Sequence, residues 1–313
     1  MTKHLIIDTD CGVDDAIAIL MALADPSVNI IGITCVDGNV PRDLVARNVA
    51  KVLDVAGATN IPIFVGAERP LIGPSVHAHD VHGFDGLGDA GFQISARLPD
   101  PEPGVLALVR LVTENPGTML VALGPLTNLA LALAIKPNLP TLLGATVIMG
   151  GAVQGTGNTT SVAEYNIYAD PEAAAIVFER GLIPTLLTWE ATLATPVRWV
   201  EWARLLNSGA IGSEFVRPIT AVNSTKAHER ARSGILMPDP LAMGVILDPT
   251  CATTYPAMLR VDTNHGIARG LTALDHHSST GGPHNTQIVS AIDQNKFIKL
   301  LERACQMECN LSI

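Results

Sequence analysis

Up to about residue 190 the chain repeats one pattern, a short apolar run followed by a segment with helical spacing. Runs at 4–7, 29–36, 62–65, 118–123, 145–149 and 184–187 read as strands. Segments 16–21, 42–56, 105–113, 126–134 and 171–180 read as the helices between them. Strands alternating with helices at this spacing predict an α/β fold built on an open, mostly parallel sheet flanked by helices. Composition agrees: hydrophobic residues make up 48% and charged residues 16%, which excludes disorder, while aromatics at 4% do not suit a β-sandwich core.

Beyond Thr195 the character changes. A stretch rich in Trp, Arg and Lys reads as helical over 197–232, followed by a helix to 247, strand-like runs at 268–274 and 286–292, and a final helix over 294–307. No internal repeat or low-complexity linker divides the 313 residues, so 1–313 is expected to form one domain with a helical insertion at about 197–235. A formal charge of -10 argues against a nucleic-acid partner, which would need a basic stripe for phosphates. The opening MTKHLIIDTD meets acids too soon for a signal peptide or a membrane span. Five scattered cysteines without a CxxC pair suit reduced thiols. A soluble, cytoplasmic protein without a membrane partner is expected.

The densest chemistry is Asp8-Thr9-Asp10-Cys11-Gly12-Val13-Asp14-Asp15, four carboxylates where an apolar strand gives way to a helix. In an open α/β sheet, ligands sit beyond the carboxyl ends of the strands, where this loop would lie. Four like charges in eight residues repel unless a cation or hydrogen-bond donors offset them. Helix capping accounts for Asp14 and Asp15 but not for Asp8 and Asp10. Every candidate ligand is a hard oxygen, which suits Ca²⁺ or Mg²⁺ rather than Zn²⁺.

The segment DTDCGVDDAIAIL resembles the opening signature of the inosine–uridine preferring nucleoside hydrolase family, in a form with Cys in the first acidic loop. The likeness continues at Val36-Asp37-Gly38-Asn39, Val81-His82-Gly83, Leu123-Gly124-Pro125-Leu126-Thr127-Asn128 and Met149-Gly150-Gly151. It runs on through Ala163-Glu164-Tyr165-Asn166, Asp170-Pro171-Glu172-Ala173-Ala174, Asp239-Pro240-Leu241-Ala242 and Arg269-Gly270-Leu271-Thr272. The blocks follow the family's order over about residues 4–275.

The resemblance implies the nucleoside hydrolase fold, a Rossmann-like sheet with the helical insertion over the active site. It also implies hydrolysis of the N-glycosidic bond of a ribonucleoside, the small-molecule partner. The cofactor would be Ca²⁺, held by the carboxylates of Asp10, Asp15 and Asp239 and the main-chain carbonyl of Leu123. Asp10 would be the catalytic base. Asp14 and Asn39 would hold the ribose diol, Asn158, Glu164 and Asn166 the 5′-hydroxyl side with Asn166 also reaching the diol, and His82 stands at a substrate-binding motif position. A homodimer or homotetramer is implied.

Pro238 departs from the family pattern, because many members carry a proton-donating His immediately before the aspartate equivalent to Asp239. His77, His79, His82 and His228 are candidate replacement acids, and Trp189 is an aromatic candidate for the base pocket. Trp199 and Trp202, three apart on a helix, read as packing residues. Two other classes fit the acidic loop: a phosphohydrolase using Asp8 and Asp10 on a metal, and a nucleoside- or ribose-binding relative without efficient turnover.

Overall fold

Leu5, Ile6 and Ile7 are fully buried at the centre of an eight-stranded sheet, flanked by parallel neighbours on both edges. The computed structural model describes residues 2–275 and 282–310. In chain order the strands are β1 (Lys3–Thr9), β2 (Val28–Cys35), β3 (Ile63–Val65), β4 (Met119–Ala122), β5 (Thr146–Met149) and β6 (Thr185–Leu187). Then come β7 (Val197–Arg198), β8 (Gly234–Ile235), β9 (Ala252–Ala257), β10 (Leu259–Val261), β11 (Thr272–Leu274) and β12 (Thr286–Ile292). The large sheet has the order β3-β2-β1-β4-β5-β6-β12-β9, and every pairing in it is parallel except β12 with β9.

That order reverses between β1 and β4, so their carboxyl ends flank the crevice where open α/β sheets bind ligands. Helices cover both faces. Val13–Leu23, Arg42–Val55, Pro238–Leu247 and Gln294–Cys305 contribute to one apolar cluster, and Gly104–Glu114, Thr127–Ile135 and Pro171–Glu179 to the other. The expected mostly parallel sheet between helices is therefore the observed architecture. No helix among the described residues is long and apolar enough to cross a membrane.

Three local readings change. Segment 197–232 is not one helix: it comprises Trp199–Leu206, a π-turn at Ile211–Val216, Arg217–Ile219 and Ala221–Glu229, with β7 and β8 pairing antiparallel at its base. The first break lies where Gly209 passes the end of the C-terminal helix, because a Cβ there would stand 2.6 Å from the Gln306 Cα. Strand β9, absent from the sequence reading, contains Pro256, which an edge position tolerates because one side of the strand has no partner. The strand expected at 268–274 is confined to β11, which pairs with β10 outside the large sheet. Helices Tyr165–Ala169 and Trp189–Ala194 were also too short to show a helical period.

Candidate active site

Strand β1 does not end at its last apolar residue but runs on through Asp8 and Thr9. The sheet can carry a carboxylate there because Thr34 Oγ1, on β2, and Asn128 Nδ2, on the helix after β4, donate to Asp8 Oδ1 at 2.5 and 2.8 Å. Burial still outweighs those bonds and raises the Asp8 carboxyl to about 6. Asp8 is thus an internal strut of the sheet.

The next three acids form the floor of the site. Asp10 is buried just past β1; its Oδ2 accepts the Asn39 main-chain N–H at 2.8 Å, while its Oδ1 has no hydrogen-bond partner. Asp15 is gripped on both oxygens: Thr9 Oγ1 donates to Oδ1 at 2.5 Å, and the Gly12 N–H and Asn39 Nδ2 donate to Oδ2 at 2.8 and 3.3 Å. Asp14 opens the helix Val13–Leu23, and its buried Oδ1 also lacks a hydrogen-bond partner, with His82 Nδ1 3.7 Å away. Asp239, in the first turn of Pro238–Leu247, completes the group. Oxygens of Asp14, Asp15 and Asp239 all lie within 4.8 Å of one another.

Burial, then mutual repulsion, pushes the Asp10 and Asp239 carboxyls well above the usual carboxylate range, and burial raises Asp14 and Asp15 as well. Four acids held this way in a hard-oxygen setting, two with orphaned buried oxygens, fit a divalent cation. Asp10 is not part of the tightest trio, although the charges of Asp14 and Asp15 act on it. The Leu123 carbonyl, at the end of β4, accepts from Asn166 Nδ2 at 2.6 Å and keeps a second lone pair.

Above the floor is a cavity of about 690 Å³. Asp14, Asn39, His82, Leu123, Asn158, Glu164, Asn166 and Asp239 all line it, whereas Asp10 and Asp15 sit behind the lining. Glu164 caps the helix Tyr165–Ala169, accepting from the Asn166, Ile167 and Gly151 N–H groups, so it ties the end of β5 to the wall. Asn166 Nδ2 also reaches the Met149 carbonyl at 3.2 Å and so spans the ends of β4 and β5. Asn158 sits on an exposed loop and accepts the Tyr165 N–H at 2.8 Å.

Of the four histidines considered as acids, His77 and His82 line the cavity. Burial lowers His82 from 6.5 to about 4, so it is a neutral imidazole; its Nδ1 accepts the Val13 N–H at 3.1 Å, which leaves the proton on Nε2. His77 Nε2 lies 3.3 Å from Asp37 Oδ1. His79 stacks on Phe84, and exposed His228 stacks on Trp199 at 3.7 Å between ring centroids; neither is among the residues lining the cavity. Trp189 does line it, and Trp202 is buried in the core. The Cys11 thiol is buried and pushed up by burial, as suits a small packed residue in the turn.

Sequence reasoning assigned no role to Asn128 and Thr34 beneath Asp8. Tyr165 lines the cavity, and its hydroxyl donates to the Val76 carbonyl at 2.6 Å and pins the adjoining loop. Sequence reasoning also overlooked Arg230 and Arg232, which line the cavity from just beyond the helix Ala221–Glu229. For Asn128 a signal existed, its place in the Gly124–Asn128 block; for the arginines only the folded chain shows where they point.

The inosine-uridine preferring nucleoside hydrolase family matches the chain over residues 5–299. The chain is 34% identical to the pyrimidine-specific ribonucleoside hydrolase RihA of Enterobacter sp. (strain 638), covering 98% of this chain and 99% of that one. Among solved structures, the plant nucleoside hydrolase PpNRh1 superposes with a TM-score of 0.92 at 32% identity, covering 98% and 99% of the two chains. A purine-preferring ribonucleoside hydrolase from Gardnerella vaginalis gives 0.89 at 31% identity, covering 97% and 98%. With an acidic crevice at the β1/β4 switch point and a match that spans nearly its whole length, the chain belongs to the inosine-uridine preferring nucleoside hydrolase family.

Proposed function

We propose that this chain hydrolyses the N-glycosidic bond of ribonucleosides to ribose and free base, with a Ca²⁺ ion as cofactor. The observation that carries the reading is the floor of Asp10, Asp15 and Asp239, all buried, with half-buried Asp14, where oxygens of Asp10 and Asp14 lack hydrogen-bond partners. Asp10, Asp15, Asp239 and the Leu123 carbonyl would hold the ion, whose bound charge lowers the pKa of water and positions it.

The remaining work falls to the side chains. The Asn39 N–H fixes one oxygen of Asp10 and leaves the other free to take a proton from the attacking water. Asp14 and Asn39, both lining the cavity, hold the ribose diol; Asn158, Glu164 and Asn166 hold the 5′-hydroxyl side, and His82 offers its Nε2–H to the substrate. Carboxylates and amide oxygens around the ring stabilise the positive charge of an oxocarbenium-like transition state. In this reading 1–313 act as one domain, the insertion at about 197–235 walls the base side, and the enzyme is a homodimer or homotetramer.

The phosphohydrolase alternative loses ground because Asp8 lies within strand β1, with its Oδ1 taken by Thr34 and Asn128 inside the sheet. The test is base release from a panel of ribonucleosides and their 2′-deoxy analogues, with and without added calcium. Ribonucleosides should be cleaved with calcium dependence, and loss of the 2′-hydroxyl should lower kcat/KM by roughly 10⁴-fold, because it strands buried polar groups. Equal rates on both sugars would remove Asp14 and Asn39 from the diol, and binding without turnover would favour a nucleoside-binding protein.

A further inference from the structure

The cavity is electrically polarised. Its floor is acidic, yet Lys226, Arg230 and Arg232 also line it, in a chain whose formal charge is -10. Lys226 Nζ donates to the main-chain carbonyl of Asp80, an exposed acid that also lines the cavity, and so ties the helix Ala221–Glu229 to the short helix His79–His82. The guanidinium groups of Arg230 and Arg232 have no carboxylate or carbonyl partner among the described residues.

Their placement is built into the backbone. Ala231, between them, has a φ of 52°, the left-handed region that residues with a Cβ rarely adopt. That turn closes the helix, with the Ala231 N–H donating to the His228 carbonyl at 2.9 Å and the Arg232 N–H to the Ala227 carbonyl at 3.0 Å. Trp199 Nε1 donates to the Arg232 carbonyl at 2.9 Å, and β8 begins two residues later. Arg232 therefore springs from a fixed backbone. Its guanidinium is partly buried, and burial together with the charge of Arg230 pushes its pKa down. Arg230 is exposed and Arg232 half-buried, so two like charges without a protein counter-ion stand where an anion or a strong acceptor entering the cavity can replace their water.

We infer that Arg230 and Arg232 receive the departing base as an anion and determine which leaving groups the site accepts. The inference rests on the hydrolase reading above and addresses what replaces the proton donor absent at Pro238. The C1′–N bond breaks, and its electron pair goes to the base nitrogen. The water oxygen bonds to C1′, and Asp10 takes the water proton. The base anion, held by donors of the two guanidinium groups, is then protonated by solvent, while Asp10 releases its proton to solvent, so that charge and atoms balance. Arginine carries donors only, so it pairs with an anionic ring nitrogen or a ring oxo group and not with a donor.

The test uses the full-length enzyme with calcium on uridine and on a series of substituted phenyl ribosides whose leaving groups range in acidity. The variants are Arg230→Met, Arg232→Met, the double variant and Arg232→Lys. In the double variant kcat on uridine should fall by roughly 10²-fold. p-Nitrophenyl riboside, whose leaving group needs little help, should lose far less, so the dependence of rate on leaving-group acidity steepens. Arg232→Lys, which keeps the charge, should recover part of the loss. Equal losses on uridine and p-nitrophenyl riboside, or unchanged kinetics in the double variant, would overturn the inference while leaving the hydrolase reading intact. No turnover of any riboside by the wild-type enzyme would overturn both.

Discussion

At Gly38 a Cβ would stand 2.2 Å from Asp10 Oδ2 and 2.6 Å from the Asp10 Cβ, well inside van der Waals contact. The glycine is there because the second loop must pass against the side chain assigned as the base. Gly38→Ala should displace that carboxylate, and a misplacement near 1 Å lowers kcat by roughly 10²-fold. Steady-state kinetics beside a melting curve check this; unchanged kcat would mean that Asp10 need not stand where it does. Asn128 is the structural counterpart. Its amide serves Asp8, the Cys35 carbonyl and the Ala67 N–H, joining β1, β2 and the loop after β3. Asn128→Ala leaves a buried carboxylate with fewer donors and should cost about 1–3 kcal/mol or more in urea unfolding. Both residues were visible in sequence blocks, but only contact distances separate a role beside the base from a role inside the sheet.

Among the elements, the helix Pro171–Glu179 shows how one side chain organises several segments. Asp170 caps it through the Ala173 N–H at 3.0 Å, and also accepts from Thr127 Oγ1 at 2.6 Å and the Leu71 N–H at 2.9 Å. Burial raises its carboxyl above the ordinary 3.8, against the pull of those hydrogen bonds. The folded state therefore keeps a proton on Asp170 in a pH window where the unfolded chain has lost it. Its stabilising contribution is largest below 3.8 and declines as pH rises through the folded value. Asp170→Asn lacks this titration, so wild-type stability relative to the variant should decline from acid toward neutral pH in urea titrations. A constant difference would show that the carboxyl is not raised. The Asp-Pro pair announced this helix start in the sequence. The breakup of the insertion was not announced, because Gly209 ends a helix only through its approach to Gln306, far along the chain.

For the whole molecule, the buried acids bear most heavily on stability. An ion that binds only the folded chain stabilises it by about 2.7 kcal/mol at a hundredfold excess over Kd. Calcium should therefore raise Tm by a few degrees, EDTA should reverse the gain, and Asp239→Asn should abolish it. Asp239→Asn should itself raise the Tm of the metal-free protein, since it relieves repulsion among buried carboxyls. A Tm indifferent to calcium would remove the ion from the floor. The alternation of apolar runs determined the parallel sheet, because burying both faces leaves strand and helix few other arrangements. Local motifs likewise determined which acids and amides gather at the crevice, since each sits at the end of a strand or the start of a helix. What tertiary structure alone decided is the edge strand β9, the breakup of segment 197–232, the ring stacking of His79 and His228, neither of which lines the cavity, and the turn at Ala231 between two arginines that do. Periodicity reports how a segment buries its own apolar face. It is silent on which distant segment a polar side chain will meet, and at this cavity those meetings decide which side chains form the lining.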